Sequence, residues 1–152
     1  MSGFRLGVVL RLRELAEDAA RACLATAVVA HREATEALIA LTTAELAAQD
    51  RLVAMGEEGA QAGELRAVRA GVEAAEQATA AGRARLEAAS EALMRARGAL
   101  AEASKRREVV ERLRDRVRLA EAQEAQRRED RVLSEIAGVR HARSISVREA
   151  EL

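Results

Sequence analysis

The chain contains no proline, no tryptophan and no tyrosine; Phe4 is its only aromatic residue, Cys23 its only cysteine and Lys105 its only lysine. Without proline, nothing in the sequence compels a helix to stop or kink. With a single ring, the core lacks the side chains that usually dominate burial energetics. A lone cysteine rules out an intramolecular disulfide framework and makes a reducing compartment the expected setting. No apolar run approaches the roughly 20 residues of a membrane span. The opening MSGFRLGVVLRLRELAED has a short apolar stretch, but acids follow at once and no small-residue cleavage site appears, so a secretory signal is not expected. His31 and His141 each lack a second His or Cys at i+3 or i+4, which leaves no metal-site spacing. The glycine cluster at 56–63 lacks the Lys-Ser/Thr of a phosphate loop. No enzyme, cofactor or metal is therefore expected.

What the chain has is alanine, leucine, arginine and glutamate. Charged residues make up 33%, and the 49% hydrophobic fraction is carried largely by alanine, which buries little area. That composition, with apolar residues repeating every three and four positions, is the signature of long helices in a coiled coil. In the first half, Leu12, Ala16, Ala19, Cys23, Thr26, Ala30, Glu33, Ala37, Ala40 and Ala44 form one such line, widened by Leu24, Val28, Leu38, Leu41, Leu52 and Met55. Cys23 on that line reads as a small buried thiol. In the second half, Leu86, Leu93 and Leu100 stand seven apart, with Ala89, Ala96 and Ala103 three residues after each.

The one cluster of helix breakers is Gly56-Glu57-Glu58-Gly59-Ala60-Gln61-Ala62-Gly63. Three glycines in eight residues supply the positive φ and the C-cap that a reversal needs. Gly71, Gly82 and Gly98 occur singly inside periodic sequence, as close-approach points or soft spots. The expected fold is all-α: two long helices in an antiparallel coiled-coil hairpin, the second overhanging the first. One hairpin spans 1–138, with a helix over about 5–55, the turn at 56–63, a helix over about 64–137 ended by Gly138, and a flexible tail over 139–152. Residue i of the first helix then lies near residue 120 − i of the second, and residues beyond about 118 have no first-helix partner.

The stretch 105–137 carries most of the character. It holds i,i+4 acid-to-base pairs, Glu108 with Arg112 and Glu124 with Arg128, and a sparse apolar stripe of Val110, Leu113, Val117, Ala120, Leu133 and Ile136. Residues 105–118 carry seven bases against three acids. Interspersed acids and the absence of aromatics argue against nucleic acid as partner. The run E-R-L-R at 111–114 and R-R-E-D-x-x-L-S-E-I-A at 127–137 resembles the C-terminal signature of the FliJ family of the bacterial flagellar export apparatus. The N-terminus resembles the family's opening through Phe4, Arg5, Leu6, Val9, Leu10, Arg11, Leu12, Arg13, Glu14, Glu17, Asp18 and Ala20. The middle, from about 30 to 104, matches only as alanine-rich coiled coil and lacks aromatics in the turn half.

The resemblance implies a non-enzymatic, stalk-like coiled coil. Such a protein binds the hexameric export ATPase, contacts the cytoplasmic domain of the export gate protein, and engages export chaperones. It implies a cytoplasmic location, peripheral to the inner membrane through the export apparatus, with no direct membrane insertion. Both signatures and the basic stretch fall at the end where the termini meet. The candidate partner-binding residues are accordingly Phe4, Arg11, Arg13, Arg112, Arg114, Arg116, Arg118, Leu133 and Ile136. The arginines would steer onto acidic ATPase surface, and the two aliphatic residues would bury against it. Two other readings stay open from residues alone: the corresponding stalk of a virulence secretion system, and a generic coiled-coil scaffold or homodimer.

Overall fold

The computed structural model describes the backbone of residues 2–150, and side chains at 5–141 and 143. It is all-α: α1 runs Ser2–Glu58 and α2 runs Ala62–Ala150, and the two pack together as a helical hairpin. The chain divides into two compact units, one of Met1–Glu14 with Arg106–Leu152 and one of Leu15–Lys105.

The reversal is tighter than the glycine cluster suggests. Gly56 lies in the last turn of α1 and Gly63 in the first turn of α2, so only Gly59, Ala60 and Gln61 turn the chain. Gly59 has φ of 77°, and the Ala60 N–H donates to the Met55 carbonyl at 3.2 Å. That six-to-one bond around a left-handed glycine is the Schellman C-cap. The α2 start is capped in turn: Glu64 Oε2 accepts from the Gln61 N–H at 3.3 Å, the returning half of a capping box.

The larger unit is an antiparallel helix pair whose seam repeats every three and four residues on both strands. On α1 the shielded line is Glu17, Ala20, Leu24, Ala27, His31, Ala34, Leu38, Leu41, Glu45, Ala48, Leu52 and Met55. On α2 it is Leu65, Val68, Val72, Ala75, Thr79, Gly82, Leu86, Ala89, Leu93, Ala96, Leu100 and Ala103. The expected α2 ladder is therefore the seam. The expected α1 line is not: every residue from Leu12 to Ala44 on it is exposed, Cys23 included. Both lines share one spacing, and spacing sets no phase. Phase follows the larger aliphatics, because a leucine removes far more area from water than an alanine.

Two contacts fix the register. Ser104 Oγ donates to Glu17 Oε1 at 2.9 Å, and a Cβ built on Gly82 would meet Leu41 Cδ1 at 2.8 Å and Leu38 Cδ1 at 3.4 Å. Both agree with residue i lying near 120 − i. Gly82 is thus a close-approach point, where α2 leaves space for two leucines of α1. Glu17, 3% exposed, is also held by Arg21 Nη2 at 2.6 Å, so its carboxylate is buried with partners.

Thr79 is the most deeply buried side chain, 1% exposed, and its hydroxyl has no hydrogen-bond partner among the described residues. Thr35, Thr42 and Thr43 each donate to the carbonyl four residues back at 2.8–2.9 Å. Thr79 does not. A buried hydroxyl without a partner forfeits about 1–3 kcal/mol of hydration, whereas valine fills the same volume without that loss. Thr79→Val is expected to raise unfolding stability by about 1 kcal/mol in urea titration. A destabilised variant would mean that the hydroxyl is satisfied.

At the far end, α2 does not stop at Gly138 but continues as helix to Ala150. A lone exposed glycine lowers helix stability by only about 1 kcal/mol, no proline follows, and no left-handed residue follows among the described residues.

Candidate docking surface

All nine candidate residues fall in the smaller unit, made of residues 1–14 and 106–152. That unit carries 15 bases and 11 acids, the remainder of the chain 10 and 14. Its seam uses Leu6, Leu10 and Arg13 on α1 and Arg107, Val110, Arg114 and Val117 on α2, with Leu10 only 6% exposed. The side chain of Phe4 lies outside the described residues.

The arginines are not equivalent. Arg13 and Arg114 sit at seam positions and are half-buried, and the Arg114 guanidinium lies 3.3 Å from Asp115. Arg11 pairs with Glu14 at 3.3 Å and Arg112 with Glu108 across one helical turn. Exposed pairs of this kind add a few tenths of a kcal/mol and exchange readily for an outside acid. Arg116 and Arg118 are exposed and make no ion pair among the described residues. They offer the charge with the least competition.

Beyond Val117 the seam positions are Glu121, Glu124, Arg128, Arg131, Glu135 and Gly138, so no apolar seam continues. From 119 to 141 every described residue except Glu124 is exposed. The apolar residues there stand on a neighbouring face, one or two positions out of phase with the seam. Leu119, Val132, Leu133, Ile136 and Val139 are 60%, 53%, 64%, 46% and 55% exposed. Val132, Ile136 and Val139 recur at the three-and-four spacing of a helix face made to be covered. Leu133 and Ile136 are expected from the sequence; Val132 and Val139 are not, and their signal is this change of phase. Leu113 and Ala120, expected on one stripe with Val110 and Val117, are exposed.

The charged and apolar residues together suit recognition of a macromolecular surface: arginines for steering, a branched aliphatic ridge for burial. Among the described residues no group of three or more His, Cys, Asp and Glu is placed to hold a metal ion, and no helix is long and apolar enough to cross a membrane.

The sequence model of the FliJ family, described as Flagellar FliJ protein, matches residues 1–146. No curated protein and no solved structure matches the chain.

Proposed function

Since the chain belongs to the FliJ family, and so to the components of the flagellar export apparatus, we propose that it works there as a non-enzymatic stalk. It binds the hexameric export ATPase and links it to the cytoplasmic domain of the export gate and to export chaperones. The carrying observation is the family match over residues 1–146, which takes in both terminal segments as well as the helical pair between them. Supporting it, the unit that holds those termini has the basic excess and the uncovered aliphatic face that a docking end requires.

The ATPase contact falls on this unit. Arg116 and Arg118, with Arg11 and Arg112 released from weak local pairs, steer it onto acidic ring surface. Leu133 and Ile136, extended by Val132 and Val139, provide the buried part of the contact. The test is co-elution of the full chain with the purified export ATPase hexamer from the same cell. A stable complex that weakens with salt is expected. A chain that binds gate domain or chaperones but never the ATPase would remove the stalk reading.

A further inference from the structure

Residues 5–13 of α1 use a very small vocabulary. They are Arg5, Arg11 and Arg13, then Leu6, Leu10, Leu12, Val8 and Val9, with Gly7. No acid precedes Glu14. Leu10 is buried and Leu6 half-buried, so these two form the seam within their unit. Val8, Val9 and Leu12 are instead 50%, 39% and 60% exposed. At about 100° per residue those three fall on one arc roughly 100° wide, with Arg11 beyond one edge and Arg13 beyond the other. Arg5 lies on the same arc one turn earlier. Arg5 and Arg13 make no ion pair among the described residues, and Arg11 holds only its solvated partner Glu14.

We propose that this face of α1 adsorbs to an anionic lipid surface, lying along the interface with Val8, Val9 and Leu12 at the acyl boundary. From 5 to 13 the guanidiniums are the only hydrogen-bonding side-chain groups, and phosphate headgroups can satisfy them without a fixed partner geometry. Aliphatic residues flanked by arginine match a boundary that is apolar below and anionic above. The guanidinium stems can reach the headgroups while the valines and the leucine go down. The excess of 15 bases over 11 acids in the same unit adds attraction of the same sign. Adsorption needs no span, consistent with helices too polar to cross. This face shares Arg11 with the proposed ATPase contact but none of its aliphatic residues, and vesicle binding is expected without the ATPase.

The experiment is flotation of the full chain with phosphatidylcholine vesicles, with and without phosphatidylglycerol, and with no other protein present. Binding is expected only with phosphatidylglycerol, and raising the salt concentration is expected to weaken it severalfold. Each arginine near an anionic surface is worth about fivefold in partition, so Arg5→Gln with Arg11→Gln should reduce binding about twenty-fivefold. Val8→Ala with Val9→Ala and Leu12→Ala, which keeps helix propensity, should reduce it at least about tenfold. Leu46→Ala with Val53→Ala, equally exposed but in the other unit, should leave it unchanged. Circular dichroism checks that each variant stays helical. The proposal is overturned if anionic vesicles fail to float the chain. It is equally overturned if the alanine variant at 8, 9 and 12 floats as well as the original. Capture of this face by an acidic protein domain without any vesicle binding also overturns it.

Discussion

Replacing Gly82 with leucine should unfold the larger unit at a much lower urea concentration, while Gly82→Ala should leave the midpoint nearly unmoved. The two results come from one geometry. An alanine Cβ at 82 lies 2.8 Å from Leu41 Cδ1, too close as it stands. That atom is the far end of a flexible side chain, and the nearest backbone, Leu38 Cα, is 4.0 Å away. A small rotation of Leu41 therefore relieves the contact. The strain of that rotation offsets the roughly 1 kcal/mol of helix propensity gained on leaving glycine. Leucine has no such escape. Its branched end would have to occupy the space of Leu38 and Leu41 together, and overpacking of this kind removes about 1–3 kcal/mol or more. A seam built so largely of alanine has little reserve to absorb it. Gly71 and Gly98 are the internal control. Nothing lies within 4 Å of a Cβ at either position, so Gly71→Ala and Gly98→Ala should each stabilise by about 0.5–1 kcal/mol. A Gly82→Leu variant as stable as the original would show that the helices do not meet closely there.

The second large effect is expected on partner binding. Arg112→Glu with Arg116→Glu and Arg118→Glu should slow association with the export ATPase by about ten- to a hundredfold and remove most of its salt dependence. Leu133→Ala with Ile136→Ala should act on the other rate. Both residues are exposed in the free chain, so trimming them leaves no cavity in the hairpin. In the complex they would be covered, and their loss should speed dissociation about tenfold or more. Neither set should change helical content, because none of these residues lies on the seam. Arg114 differs from these arginines. It is half-buried at a seam position, and reversing it would mix a packing loss with a charge effect.

How much of this the sequence held depends on the residue. The turn was legible because a reversal needs one residue at positive φ, and Gly59 stands in the only glycine cluster. The α2 seam was legible because Leu86, Leu93 and Leu100 mark its phase with large side chains. On α1 the phase was hidden. Alanines fill two parallel lines at identical spacing, and only Leu24, Leu38, Leu41 and Leu52 reveal which one faces the partner helix. The persistence of α2 past Gly138 was hidden for a related reason: one glycine is a modest penalty, decisive only when a second breaker follows.

For the docking surface, residue types were legible and their availability was not. The arginines of 105–118 stand out in the sequence, yet whether each is free depends on the seam phase that removes Arg114 and on the turn-by-turn pairs that engage Arg112 and Arg11. The exposed face of Val8, Val9 and Leu12 was masked in the same way. Leu12 and Val9 continue the false α1 line, and only the burial of Leu10 shows that this line points outward.

Docking through the unit of residues 1–14 and 106–152 has a direct signature in amide exchange. Hydrogen exchange of the full chain, free and with the export ATPase hexamer, tests it most directly. Slower exchange on ATPase addition is expected at 106–141 and at the start of α1, with none around Gly59. Protection confined to residues 15–105, or centred on the turn, would mean that the ATPase binds elsewhere on the chain.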